Sequence, residues 1–184
     1  MALTKINTQA IPNNTINLAS QVTGSLPVAN GGTALGRAPH YCSVFLDAHS
    51  GGILAANSRT VCPMASTYID TASAYNASSY RYVIPSAGKY AVWGQMAVIH
   101  NAGSGQSNQF YFAIHVNGTQ QTAPQKDGNG NYDWQEMGFV QLVRSFQQND
   151  YIDLRAQVSS GTGTQNYKFA GNACQMTVME LFGV

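Results

Sequence analysis

The chain has 184 residues, a mass of 19.7 kDa and a formal net charge of +1, which allows one ordinary domain plus a short additional segment. Only 9% of the residues are charged, whereas 15 are Asn, 15 are Gln and 18 are Gly, so the composition excludes a coiled coil, a helical bundle and a disordered chain. The nine cations form no basic stripe and no apolar run reaches membrane-spanning length, so we expect neither nucleic-acid binding nor membrane insertion.

The N-terminus and the cysteines bear on where the protein is made. The first residues lack a basic segment followed by an apolar one, so we expect no secretory signal. Cys42, Cys62 and Cys174 are odd in number and have no C-x-x-C spacing, which favours buried, reduced thiols over a disulfide framework or a metal site. The sequence therefore predicts assembly in a reducing cytoplasm, with no metal and no cofactor.

Residues 1–38 differ in composition from the rest of the chain. They contain no aromatic residue, and their only charged side chains are Lys5 and Arg37. Their larger aliphatic residues are separated by polar and turn residues; they are Ile6, Ile11, Ile16, Leu18, Val22, Leu26 and Val28. Such a segment is too apolar for a solvated tail and too poor in aromatics for its own core. We expect an extended arm, at most roughly 120 Å long, that buries these aliphatics against other chains and ends before Pro39.

Residues 90–100 are the first long strand predicted after the arm. Apolar residues fall on both of its faces, with Val92 and Met96 on one side and Trp93 and Ile99 on the other. A strand of this kind is covered on both sides. We expect the opposite sheet of the same chain to cover one face and another subunit to cover the second. Residues 175–182 follow the same pattern.

Two further strands alternate strictly between apolar and polar positions. In the first, the apolar face consists of Phe110, Phe112, Ile114 and Val116, and Asn117-Gly118 then supplies a tight turn. In the second, the apolar face consists of Ile152, Leu154, Ala156 and Val158, and the intervening residues are expected to face water or a partner. Several short strands separated by turns, without a helical period, predict an all-β sandwich or jelly roll.

A twelve-residue motif lies near the end of the arm. Residues 22–33 read V-T-G-S-L-P-V-A-N-G-G-T. This motif resembles the linker found in many bacteriophage tail-fibre proteins, where it follows the virion-attaching end and precedes a variable, trimeric distal part. The resemblance implies that residues 1–38 form a virion-attachment and trimerisation arm.

Residues 41–184 resemble the trimeric TNF-like jelly roll of the complement one-q type. The resemblance is carried by Y-R-Y-V-I-P-S-A-G-K-Y at residues 80–90, by F-A-I-H-V-N-G at 112–118 and by Q-Q-N-D-Y-I at 147–152. Asn149 stands where that family usually has Gly, and Asn tolerates the same positive φ. The resemblance implies a ten-stranded jelly-roll head over residues 39–184, a homotrimer with an aromatic and aliphatic three-fold axis, ligand binding through exposed loops and grooves, and no catalytic machinery.

The segment D-G-N-G-N-Y-D at residues 127–133 is the best candidate for receptor contact. Its oxygen-bearing side chains alternate as in a calcium loop, but Tyr132 and Gly138 stand where an EF-hand needs Gly and Glu. A Gly/Asn-rich loop is therefore the simpler interpretation, and loops on a rigid scaffold carry recognition. The predicted receptor-binding residues are Asp127, Asn129, Asn131, Tyr132 and Trp134.

We expect no enzymatic activity. The four histidines have no metal-ligand spacing, and the chain contains neither a G-x-S-x-G nor an H-E-x-x-H motif. A pair of carboxylates acting on polysaccharide stays open as an alternative, because eight acidic residues are present.

These expectations combine into a bacteriophage tail-fibre protein made in the cytoplasm of the bacterial host and located in the virion. Its partners would be two further copies of itself, tail or baseplate proteins bound through residues 1–38, and a host-surface glycan or protein. The main alternative is a purely structural fibre cap, or a capsid or collar decoration protein, without receptor binding. A secreted adhesion domain of the complement one-q type is a third hypothesis.

Overall fold

The computed structural model describes residues 38–50, 54, 57–100, 109–122, 125–127, 135–159 and 167–181. These residues form thirteen strands and no helix. The strands are β1 (Tyr41–Leu46), β2 (Thr60–Val61), β3 (Ser66–Asp70), β4 (Tyr75–Asn76), β5 (Arg81–Val83), β6 (Gly88–His100), β7 (Gln109–Val116), β8 (Thr119–Gln120), β9 (Gln125–Asp127), β10 (Gln135–Phe146), β11 (Tyr151–Ser159), β12 (Tyr167–Phe169) and β13 (Cys174–Leu181). The predicted all-β fold is confirmed.

The strands build two antiparallel sheets. The first sheet has the order β10-β6-β13-β1-β3, and β12 also pairs with β6. The second has the order β4-β5-β11-β7-β8, and β2 and β9 add to β11 and β7. The first and last strands lie side by side, with Cys42 opposite Val178. Because most neighbours are distant in sequence, the chain crosses between the sheets repeatedly, as a jelly roll requires.

The core lies between the two sheets and is formed by the predicted alternating positions. Phe110, Phe112 and Ile114 of β7 are buried, and so are Ile152 and Leu154 of β11. From the first sheet, the inward residues of β6 and β13 complete the core; they are Tyr90, Val92, Met96, Val98, Met176 and Val178. The alternation in the sequence therefore identified the inward faces of β7 and β11 correctly.

Gly138 lies where β10 packs tightly against the opposite sheet. A Cβ built on Gly138 would overlap the ring of Phe112, which belongs to the opposite sheet and is fully buried. Only a residue without a side chain allows β10 to pack at this distance. The glycine within β10 is therefore a packing requirement.

The turn predictions are confirmed by backbone conformation. Asn117 and Gly118 have φ values of 51° and 77°, and they connect β7 to β8 in a two-residue hairpin. Asn149 has a φ of 71°, so it adopts the conformation for which the complement one-q pattern usually uses Gly. The amide of Asn149 also donates to the carbonyl of Ile84 at 2.9 Å, which ties this turn to the end of β5.

Two features differ from the expectations. Thirteen strands are described where the resemblance implied ten, because several connections pair over only two or three residues. The residues that alternate with the apolar face of β11 were expected to face water or a partner, yet Asp153 is fully buried on the outward side of the second sheet. The cause is local, because the side chains of Arg81 from the neighbouring β5 and of Arg155 from β11 itself lie against Asp153.

The three cysteines are free thiols and all are buried. Burial raises the pKa of the Cys42 thiol to about 12 and also raises the pKa of Cys62. Ala97 donates its amide to the Cys174 sulfur at 3.3 Å, so this thiol is integrated into the core next to β6. The part of the chain that the structure describes contains no helix capable of crossing a membrane.

Candidate functional site

The predicted receptor-binding loop lies almost entirely outside the described residues. Asp127 ends β9, where its backbone pairs with Phe110, and β10 begins at Gln135. The Asp127 side chain and Asn129, Asn131, Tyr132 and Trp134 lie outside the description. Their role in receptor contact therefore stays a prediction.

The predicted arm also lies outside the described residues, which begin at Ala38. This applies to each of its anchoring residues, namely Ile6, Ile11, Ile16, Leu18, Val22, Leu26 and Val28. The domain boundary after residue 38 and the attachment role of the arm both stay predictions.

The outward face of the first sheet is the most apolar surface among the described residues. Phe139 and Val143 of β10 are 58% and 59% exposed, and Trp93 of β6 lies on the strand beside them. At the opposite edge of the sheet, the rings of Phe45 and Tyr68 stack at 4.0 Å between centroids. We call this surface the aromatic face; its exposed large residues are Tyr68, Ile69, Trp93, Met137, Phe139 and Val143.

An open groove of about 560 Å³ runs across the aromatic face. Trp93 and Phe139 supply its apolar walls, and uncharged Gln95, Gln141 and Thr177 supply its polar groups. Lys89 lies at one end of β6, and Lys168 pairs with Ile99 near the other end. Between these two lysines, the outward side chains that the structure describes are uncharged. Because an apolar patch of this kind marks an interaction surface, the aromatic face is a candidate subunit interface.

The outward face of the second sheet carries a contrasting cluster of charge. Asp153 of β11 is fully buried and accepts two hydrogen bonds from Arg155, at 2.6 Å from Nε and 3.0 Å from Nη2. Arg81 of β5 donates its Nε to the same carboxylate at 3.3 Å. The Arg81 guanidinium also lies 4.3 Å from the centre of the Tyr151 ring, which is a cation–π contact.

His115 lies beside this cluster, because it is the partner of Asp153 in the pairing of β7 with β11. Its Nδ1 contacts the carbonyl oxygen of Gly118 at 3.0 Å, so Nδ1 carries the proton and donates it. Its Nε2 is buried and has no hydrogen-bond partner in the described part of the chain. Burial lowers the pKa of His115 and the charge of Arg155 lowers it further, so the ring is neutral at pH 7.

The sequence analysis pointed to the aromatic face through Trp93 and did not identify the charged cluster. The two-sided apolar pattern of β6 indicated that a partner covers Trp93, yet Phe139 and Val143 were not selected. Tyr151, Asp153 and Arg155 alternate along one face of β11. That spacing was the available signal for the charged cluster, but Arg81 and His115 join it from other strands.

No protein-family model and no curated protein sequence matches this chain. A solved structure, the globular domain of the zebrafish complement 1qA protein, is similar with a TM-score of 0.55. The match covers 80% of this chain and 100% of that domain, at 8% sequence identity. Likeness at this identity concerns the fold alone. The described part of the chain is therefore a jelly-roll sandwich of the complement one-q type, as the sequence resemblance predicted.

Proposed function

We propose that this chain is a non-enzymatic fibre protein of a bacteriophage virion, with a trimeric head that binds a receptor on the host cell. The observation that carries the proposal is the aromatic face, which exposes Trp93, Phe139 and Val143 and whose outward side chains between Lys89 and Lys168 are uncharged among the described residues. The phage assignment is supported by the V-T-G-S-L-P-V-A-N-G-G-T motif at residues 22–33.

The aromatic face supports association of copies through the first sheet. A surface that is broad, apolar and uncharged lowers its free energy when it is removed from water. Three copies arranged around a three-fold axis form a closed ring, because every copy makes the same two contacts with its neighbours. Such a ring buries the aromatic face of each copy. The second sheet, with its charged outward face, then remains in contact with solvent.

The arm and the loop complete the proposal. Residues 1–38 dock the fibre to tail or baseplate proteins, and the segment at residues 127–134 contacts a host-surface glycan or protein. Three weak sites on one rigid axis act together, so avidity replaces tight single contacts. The protein is made in the bacterial cytoplasm and acts in the virion.

A structural cap or a decoration protein without receptor binding is the second candidate. One observation favours it, because trimer assembly alone accounts for every exposed large hydrophobic residue that the structure describes. Tyr132→Ala and Trp134→Ala separate the two candidates. Loss of adsorption to host cells with an unchanged native mass supports a receptor-binding head, whereas full adsorption supports a cap.

The first test of the proposal is the native mass of the full-length chain, measured by light scattering at several concentrations. We expect a concentration-independent mass about three times 19.7 kDa. A monomer at all concentrations contradicts both the trimeric head and the fibre arm. Removal of residues 1–38 then tests attachment: we expect a soluble head that no longer joins the virion, and a truncated head that still joins contradicts the role of the arm.

A further inference from the structure

The arginine residues of this chain are unevenly distributed. Three of the nine cationic residues, Arg59, Arg81 and Arg155, lie along or beside β11 on the outward face of the second sheet. The Nε of Arg59 donates a hydrogen bond to the side-chain oxygen of Gln157 at 3.4 Å, which places Arg59 beside β11. In a chain with 9% charged residues, three guanidinium groups therefore lie on one face of one sheet.

Asp153 organises two of these arginines and cannot neutralise both. Each of its carboxylate oxygens already accepts from Arg155, and one of them also accepts from Arg81. The side chains of Asp153, Arg81 and Arg155 together carry one negative and two positive charges, so these three side chains have a net charge of +1. Because Asp153 is fully buried while the Arg81 side chain is 36% exposed, the excess charge is on the solvent side.

The arginine side chains keep donors available for a ligand. Among the described residues, Nη1 and Nη2 of Arg81 and Nη1 of Arg155 have no hydrogen-bond partner. Contact with the Tyr151 ring and with Asp153 fixes the plane of the Arg81 guanidinium before any ligand arrives. A planar, pre-oriented guanidinium with free N–H groups matches the geometry of a carboxylate or phosphate group.

The surroundings of the two arginines suit a sugar. Tyr151 and Tyr111 are partly exposed on the same face, and Gln157, which pairs opposite Tyr111, supplies an amide group there. Aromatic and amide side chains bind saccharides by stacking and hydrogen bonding, whereas a simple anion site needs neither.

We propose that Arg81 and Arg155, with Tyr151 beside them, bind the carboxylate or phosphate group of an acidic saccharide on the outward face of the second sheet. This proposal rests on the proposed role in host binding and specifies the receptor chemistry for that role. It assigns recognition to this sheet face, in addition to the loop at residues 127–134.

The test is titration calorimetry of the full-length protein with tetragalacturonate, which carries carboxylates, and with glucose 6-phosphate. Maltotetraose is the neutral control, and inorganic phosphate is the control for an anion without a sugar. We expect binding of at least one acidic saccharide and none of maltotetraose. Arg81→Gln should weaken that binding at least tenfold, and added salt should weaken it in the wild type.

Arg144→Gln is the matched control variant. Arg144 is an exposed arginine of β10 in the first sheet, and its side chain contacts Gln121, away from Asp153. We expect this variant to bind like the wild type. An equal loss in Arg144→Gln, equal binding of maltotetraose, or binding of inorganic phosphate as tight as that of the saccharides overturns the proposal. Absence of binding by every acidic saccharide also overturns it.

The titration of His115 in the unmutated protein is a second measurement, and it does not depend on whether a variant folds. An anion held at Arg155 offsets the positive charge that lowers the pKa of His115. The ring resonances of His115 should therefore titrate at higher pH when the acidic saccharide is present, and an unchanged titration overturns the proposal. Native mass and host adsorption test the fibre role separately, so a trimer that adsorbs but binds no acidic saccharide contradicts only this inference.

Discussion

Phe139→Ala tests the aromatic face as a subunit interface. Phe139 is 58% exposed in the single chain, and a Phe side chain offers roughly 200 Å² for burial. Complete burial of the exposed part removes about 115 Å² from water, which is worth about 3 kcal/mol per protomer at ~25 cal/mol per Å². The trimer therefore loses about 9 kcal/mol as an upper value.

This loss has a measurable consequence for assembly. Since about 1.4 kcal/mol corresponds to a tenfold change in an equilibrium constant, the trimer dissociation constant rises by about a million-fold. The trimer dissociation constant has units of concentration squared, because one trimer dissociates into three protomers. The protein concentration at half-dissociation therefore rises by the square root of the change in that constant, about a thousand-fold. Sedimentation velocity across a wide range of concentrations measures that shift directly.

The control for Phe139→Ala is an aromatic residue on the other sheet. Tyr111→Ala changes a partly exposed ring on the outward face of β7, where the proposal places solvent. We expect Tyr111→Ala to keep the native mass of the wild type. The reasoning is refuted if Phe139→Ala dissociates at the same concentration as the wild type, or if Tyr111→Ala dissociates as readily as Phe139→Ala.

Three further predictions concern the folded head. Gly138→Ala should lower the free energy of unfolding in urea by about 1–3 kcal/mol, because the new Cβ overlaps the Phe112 ring. Ser145→Ala on the same strand is the control and should have little effect. Equal effects of the two variants contradict the packing argument. Folding lowers the pKa of His115, so the unfolded chain binds more protons than the folded chain below pH 6.5, and the free energy of unfolding should fall as the pH drops there. His115→Gln should flatten this pH dependence. An unchanged slope in His115→Gln contradicts the assignment to His115. Thiol reagents should label no cysteine of the native protein and all three after denaturation, and rapid native labelling contradicts the burial of Cys42, Cys62 and Cys174.

Local sequence patterns predicted several strands of this protein and the buried faces of two of them. Alternation along β7 and β11 predicted their buried faces, because successive residues of a strand point to opposite sides. Asn117-Gly118 predicted a hairpin, because both residues tolerate positive φ at low cost. The composition excluded helical folds, and the pattern of residues 80–152 led to the jelly roll, which the described architecture confirms.

Only the tertiary structure decided which surfaces these strands create. The aromatic face requires β10 to lie beside β6, and the charged cluster requires Arg81 to reach Asp153 across 72 positions of sequence. Strand pairing at such separations depends on the packing of the whole core, which no local pattern records. The sequence by itself therefore determined an all-β chain with two-sided apolar strands, whereas tertiary pairing placed Phe139 beside Trp93 and buried Asp153 between two arginines.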